Sequence, residues 1–332
     1  MAQQTTRREW LTRVAPRTEL VNVPEFEAEA ERVLPADLFR LLSGSDRAAF
    51  DRITFRPRMM VNCVDLNLSL DLAGVPLFAP IIVGPVSDQR RFHADGELAT
   101  VRGASAAKAA VVVSSRSSHS VQAMTAQATT PLVFQVFGED GATKIRSQAQ
   151  DAERAGCKAI LLTIGAPVPG ARRSARVDWA VVDVLRGAVS VPVMVKGIMT
   201  ALDATAAVSH GAQGLVVSNY GRPTAAGQPA PLDAVAPIVD AVGAQVPVLL
   251  DGGIRRGSDV MKALASGARA VLVARPVMWG LAAYGADGVQ SVTEMLQTEL
   301  GRAMGCCGTP NLAAITRRVM TIHAAQPTRE RV

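Results

Sequence analysis

Eight short runs rich in Val, Ile and Leu punctuate the chain from residue 80 onward and constrain its fold more than any other feature. They are Pro80–Gly84, Ala110–Ser114, Pro131–Phe137, Lys158–Ile164, Val191–Gly197, Gly214–Asn219, Val246–Gly253 and Ala270–Pro276. Their starts lie 21 to 33 residues apart, room for one strand and one helix each. The apolar residues are continuous rather than alternating, as in strands buried on both faces. Between the runs lie Ala-rich amphipathic stretches such as Ala201–His210 and Ser258–Ser266, which read as helices. Strand–helix units repeated eight times predict an α/β fold, a single (β/α)8 TIM barrel. A doubly wound open sheet is the alternative. It requires a G-x-G-x-x-G turn after the first strand, where this chain has Gly84-Pro85-Val86-Ser87.

Residues 1–79 precede the barrel as an extension packed on it, and no second domain with its own core is evident. Val23–Leu41 reads as one or two helices, with Pro24 and Pro35 as helix starters. Val64–Leu77 alternates weakly, like a hairpin or a plug across the barrel bottom. The barrel is expected over residues 80–325, with 326–332 a disordered tail.

Of the 332 residues 48% are hydrophobic and 19% charged, enough apolar material for a large core and too little charge for disorder. No apolar run reaches the roughly 18–20 residues needed to span a bilayer, and no signal-peptide core follows Met1. A cytoplasmic protein is expected. The net charge of +6 raises the question of nucleic acid, but residues 1–18 and 317–332 each carry +3 and the rest sums to zero. With the charge in the tails and 4% aromatic residues, neither nucleic acid nor membrane is an expected partner. The Arg-bearing start reads as a frayed terminus, with a transit segment as the alternative. Cys63, Cys157, Cys306 and Cys307 follow no metal-binding spacing and the four histidines fall in separate segments, so no metal site is predicted.

Chemistry in such a barrel sits at the carboxyl ends of the strands. Here those ends carry Ser87, Ser114-Ser115, Gln135, Thr163, Lys196, Ser218-Asn219, Asp251 and Arg275. Hydrogen-bonding groups at all eight ends describe a lined pocket. Asp251-Gly252-Gly253-Ile254-Arg255 and Ala274-Arg275-Pro276 add glycines that admit backbone N–H groups and two arginines, a phosphate site after the last two strands. Lys196 reads as a cation held toward a ligand, because Lys is seldom buried without a partner.

These residues resemble the FMN-dependent α-hydroxy-acid oxidases and dehydrogenases over about residues 20–325. The signatures are Ile53-Thr54-Phe55-Arg56-Pro57-Arg58, His93-Ala94-Asp95-Gly96-Glu97, Phe134-Gln135, Val195-Lys196-Gly197-Ile198, Asp251–Arg255 and Arg275-Pro276. The resemblance implies FMN as cofactor, with Pro85, Val86 and Ser87 along the flavin ring. Ser115, Gln135 and Thr163 would bond its polar edge, Lys196 would stand near N1 and O2, and Ser218 would reach the ribityl chain or ring edge. Asp251, Gly252, Gly253, Arg255, Ala274 and Arg275 would hold ribityl and phosphate, with Ala274 where the family usually has Gly. It also implies a homo-oligomer, plausibly a tetramer, and a small carboxylate substrate.

The substrate half departs from that pattern. The family's base is the His of Ser-Asn-His-Gly, and this chain has Ser218-Asn219-Tyr220-Gly221. The Asp that orients that His aligns with Gly165, and a family Tyr aligns with Phe137. Another family Tyr falls at Arg40-Leu41. Arg172 matches the Gly-x-Arg after the fourth strand, and Arg222 lies one residue earlier than the family's second Arg. Arg116 stands where several members carry a substrate-facing Trp, with His119 three residues on. The expected catalytic set is therefore Tyr220, Arg172 and Arg222, with Arg116, His119 and Phe137 as pocket candidates. A phenol of pKa about 10 is a poor base at pH 7, so the usual mechanism does not carry over. Three readings stand: an oxidoreductase of non-standard mechanism, a catalytically silent FMN-binding homologue or partner subunit, and a barrel for another phosphate-bearing ligand.

Overall fold

The computed structural model describes residues 14–44, 47–165, 178–220 and 229–324. Eight strands occupy the eight apolar runs: β1 (Ile81–Val83), β2 (Val111–Ser114), β3 (Leu132–Phe137), β4 (Ala159–Thr163), β5 (Val193–Ile198), β6 (Leu215–Val217), β7 (Val248–Asp251) and β8 (Ala270–Val273). Neighbours pair in parallel and β8 closes onto β1, so the sheet is a closed barrel. Closure leaves no unpaired edge, which is how an all-parallel sheet satisfies its backbone. The stretches expected as helices are Ala201–Ser209 and Gly257–Ala265. Thr200 caps the first, accepting from the Asp203 N–H at 3.0 Å. No described helix is long and apolar enough to cross a membrane.

Side-chain alternation along the strands makes two shells. Ile82, Val112, Val133, Leu161, Met194, Val216, Leu249 and Leu272 fill the barrel interior. Their sequence neighbours, such as Val111, Ile160, Val195 and Leu250, pack outward in the larger core under the helices.

The N-terminal end of the barrel is closed by a hairpin. Leu70–Leu72 pairs antiparallel with Val75–Leu77, and Leu72, Val75 and Leu77 join the interior cluster. Ala73 and Gly74 take φ of 51° and 84°, and the Gly74 N–H donates to Asp71 Oδ1 at 2.7 Å. Two successive positive φ values match the strand twist of a two-residue hairpin turn.

The rest of the extension lies along the opposite end. Helices Val23–Val33 and Ala36–Leu42 sit against the long helical segment Arg275–Cys306, two helices that meet at a kink where Gly285 takes φ of 59°, with Phe26 edge-on to Tyr284 at 5.7 Å. The buried Trp279 indole donates to the Leu42 carbonyl at 3.2 Å. Ile53–Phe55 pairs with Met320–Ile322, tying the two ends of the described chain together. The tail expected over residues 326–332 lies outside the described residues.

Candidate active site

The alternation that fills the barrel floor also furnishes its top. Two residues beyond Val112, Val133, Leu161, Met194, Val216 and Leu249 come Ser114, Gln135, Thr163, Lys196, Ser218 and Asp251. A period-two strand keeps one face, so the layer above the apolar plug is polar on every one of these strands. A cavity of about 430 Å³ opens there. Pro85, Val86, Ser87, Gln135 and Thr163 line it, and so do Lys196, Tyr220, Arg116 and Phe137. Asp251, Gly252, Gly253, Arg255, Ala274 and Arg275 complete its wall on the β7–β8 side.

Lys196 is the centre of the floor. Its Nζ lies 2.8 Å from Asp251 Oδ2 and donates to Ser218 Oγ at 3.1 Å, while Ser218 donates to the same carboxylate at 2.7 Å. All three are buried. A buried ammonium with one carboxylate and one hydroxyl keeps a fixed position. Ser218 does not line the cavity; it stands behind Lys196 and Asp251 and holds both.

Gly197 creates the local shape at the end of β5. The pairing of β5 with β6 slips there, Lys196 opposing Val216 and Ile198 opposing Val217. The extra residue is a bulge with φ of 112°, open to glycine and costly for other residues. A Cβ at Gly197 would stand 2.1 Å from Tyr220 Oη and 2.3 Å from the Ile164 carbonyl oxygen. Tyr220 itself takes φ of 61°, and its ring lies 4.9 Å from Lys196 Nζ. A Cβ on Gly165 would be 3.7 Å from the same phenol oxygen. The Tyr220 side chain thus lies across Lys196 with its hydroxyl in the space left by Gly165 and Gly197.

The β7–β8 side is an anion site in its construction. Arg255 is buried, its guanidinium 4.6 Å above the Trp279 ring, and donates to the carbonyls of Ile254 at 2.9 Å and Gly44 at 3.4 Å. Arg275 also donates to the Gly44 carbonyl, and to Ser43 O at 3.4 Å. Loss of hydration, then the charge of Arg275, pushes the Arg255 guanidinium down to about 10. Burial lowers Arg275 too, against the attraction of Asp251 and Glu27. Two desolvated cations sharing one carbonyl oxygen are suited to a bound phosphate. The loop is held in place by Asp259, which accepts the N–H groups of Arg255 and Arg256 at 2.9 Å each and a two-pronged pair from Arg47.

Three predicted site residues stand off the cavity. Ser115 follows Ser114 with the opposite parity, and its buried Oγ has no hydrogen-bond partner among the described residues. His119, expected in the substrate pocket, instead sets Nδ1 3.1 Å from Glu97 Oε2. Burial raises the Glu97 carboxyl, but donors from Gln89, Ser118 and His119 outweigh it and leave it below the ordinary value. An ionised acceptor with that many donors draws the imidazole out of the pocket. Ser218 is the third. Arg172 and Arg222 lie outside the described residues.

The cavity also has lining that the sequence reading passed over: Leu41 and Leu42 from the extension, and Arg91 and Phe92 from the loop after β1. Departure from the family Tyr at Leu41 was the one available signal. Nothing in local pattern marks Arg91, which reaches the pocket only through the tertiary fold.

FMN fits these residues. The buried Arg255, the partly buried Arg275 and the open backbone at Gly252, where a Cβ would meet nothing within 4 Å, suit a phosphate and its ribityl arm. The Lys196 ammonium and the Gln135–Thr163 pair, hydrogen-bonded at 2.7 Å, suit the polar edge of a ring.

Comparison with known proteins agrees. Residues 43–177 and 173–322 match the FMN-dependent dehydrogenase family. Peroxisomal (S)-2-hydroxyacid oxidase GLO4 of Arabidopsis thaliana is 33% identical over 347 residues, covering 90% of this chain and 96% of its own. Glycolate oxidase 1 of Oryza sativa subsp. japonica is 34% identical over 350 residues, covering 90% and 95%. A crystal structure of mandelate oxidase with (S)-2-phenylpropionate superposes with a TM-score of 0.86 at 35% identity, covering 92% of this chain and 99% of that one. Barrel, phosphate corner, buried lysine and these likenesses converge: the chain belongs to the FMN-dependent dehydrogenase family and is an FMN-dependent oxidoreductase.

Proposed function

We propose that the protein oxidises a small 2-hydroxy acid, or a closely related carboxylate, by a mechanism in which Tyr220, at the position of the family's histidine base, acts as a hydrogen-bond donor and not as the base. The observation that carries this reading is the Tyr220 ring 4.9 Å from a Lys196 ammonium that Asp251 and Ser218 hold fixed. FMN, when bound, supplies the two-electron acceptor. Lys196 would keep a positive charge at the site where negative charge develops, and its two partners would hold it without reorganisation. Tyr220 would donate a hydrogen bond to the substrate hydroxyl oxygen, and the hydroxyl proton would pass to solvent at the cavity mouth rather than to the phenol, since a phenol of pKa about 10 is a weak base at neutral pH. Arg172 and Arg222 would hold the carboxylate.

One observation favours a second reading, a catalytically silent FMN-binding homologue. The Tyr220 hydroxyl lies against Gly197, as a packing group would. Anaerobic mixing of the FMN-loaded protein with a panel of 2-hydroxy acids separates the two. Bleaching of the flavin absorbance supports the oxidoreductase, and Tyr220→Phe should slow it by about 10²- to 10⁴-fold. A flavin that no 2-hydroxy acid bleaches supports the silent homologue. Equal bleaching rates in wild type and Tyr220→Phe would reduce the residue to packing.

A further inference from the structure

The cavity carries a cation that the reaction proposed above leaves unused. Arg116 follows β2 at the rim, its guanidinium carbon 3.7 Å from the centre of the Phe137 ring. Both its acceptors, Asp140 Oδ1 at 3.1 Å and Glu139 Oε1 at 3.4 Å, take the same nitrogen, Nη2. Its backbone N–H is held by Ser114 Oγ at 3.1 Å. Arg116 and Phe137 line the cavity, whereas Glu139 and Asp140 do not. The acids therefore grip the guanidinium from outside while the ring supports one face. A planar fork clamped at one nitrogen keeps its other N–H donors in a fixed direction, the arrangement that suits two-pronged recognition of a carboxylate.

The local charge balance points the same way. Asp140 is shared with Lys144 at 3.2 Å, so Arg116 and Lys144 together match Glu139 and Asp140. Arg91, exposed and lining the same cavity, adds a second cation on this side. Arg255 and Arg275 would hold the cofactor's phosphate, and Lys196 is paired with Asp251. The charge at Arg91 and Arg116 has no counterpart in the cofactor or in the carboxylate next to the reacting carbon.

Resting on the hydroxy-acid reading of the site, we infer that the substrate bears a second anionic group, received by Arg116 with Arg91. The substrate class is a 2-hydroxy dicarboxylate rather than a 2-hydroxy monocarboxylate. The stacked guanidinium selects for the far end of the molecule, and the reacting end is unchanged.

The test uses FMN-loaded protein and two oxo acids of equal chain length, 2-oxoglutarate and 2-oxopentanoate. As products rather than substrates they bind without turnover, and calorimetric titration gives their affinities. Wild type should prefer 2-oxoglutarate by about tenfold or more, the scale of one charge-assisted hydrogen bond. Arg116→Gln should bring the ratio close to one, and Arg91→Gln should reduce it less, with FMN content reporting that each variant is folded. Arg116→Lys should keep part of the preference, since charge remains and the fork is lost. Equal affinities in wild type, or a preference that survives Arg116→Gln, would overturn the inference while leaving the hydroxy-acid reading intact. Tighter binding of phenylglyoxylate than of either acid would overturn it in favour of an aromatic ring stacked on the open guanidinium face. Binding of none of these acids would sink the hydroxy-acid reading itself.

Discussion

Around Gly253 the cavity wall is fastened by segments far apart in the chain, whereas around Tyr220 its shape depends on the glycines beneath the ring. Arg47 donates to the Gly253 carbonyl at 2.8 Å and forks onto Asp259, and a Cβ on Gly253 would strike Phe50 at 2.4 Å. Extension, β7 loop and long helix thus fix the two phosphate-side arginines together. At Tyr220 the fit is between one phenol and the missing side chains of Gly165 and Gly197. A change in the first region breaks contacts in several elements at once. In the second, a substitution disturbs one ring and the backbone beneath it.

Lys196→Met should have the largest effect, because it leaves Asp251 buried without its cation. Removing one partner of a buried pair costs about 3–5 kcal/mol, and FMN retention should fall with it. Denaturant unfolding of the apoprotein reads the first effect and flavin absorbance the second. Adding Asp251→Asn should recover most of the stability without recovering FMN. Recovery of both would mean that the pair serves only the fold.

Gly197→Ala tests the other half. Its Cβ meets both the phenol and the Ile164 carbonyl at a φ of 112°, so a loss of about 3 kcal/mol is expected in thermal or chemical unfolding. The backbone contact remains when the hydroxyl is removed, so Tyr220→Phe should relieve only part of that loss. Complete relief would show that the phenol alone sets the shape.

The smallest expected effect is Arg275→Ala, which removes one charge-assisted contact from a corner that keeps Arg255. FMN binding should weaken by about 1.5–3 kcal/mol with little change in apoprotein unfolding. An unchanged FMN affinity would move the phosphate elsewhere along the wall and erase the contrast between the halves.

The barrel was legible because its signal is local and repeated. Eight apolar runs bounded by polar residues state strand, burial and strand end together, and Val133 followed by Gln135, or Met194 by Lys196, places a polar group two residues above an apolar one on the same face. The weak alternation over Val64–Leu77 reads as a hairpin or a plug, and the hairpin Leu70–Leu77 lies within it, its turn at Ala73-Gly74 being supplied by the structure. Within the site, the glycines and arginines after β7 and β8 followed from position alone.

What the sequence by itself determined, then, is the barrel, the polar layer on its top and the anion corner, since each depends on residues within a few positions of one another. Tertiary structure decided which of those residues meet the cavity. Ser114 stands at a strand end with the parity of the polar layer, yet its hydroxyl is taken up by Ser87 and the Arg116 N–H and does not line the cavity. His119 turns away because Glu97, 22 residues earlier, offers it a buried carboxylate. Leu41 and Arg91 reach the cavity from a helix of the extension and from a loop, and nothing local in either says that it faces the barrel top. Tyr220 lies where it does because the bulge at Gly197 and the absent side chain of Gly165 leave a space of its shape. Steric fit between residues tens of positions apart is a property of packed volume, which no one-dimensional pattern encodes.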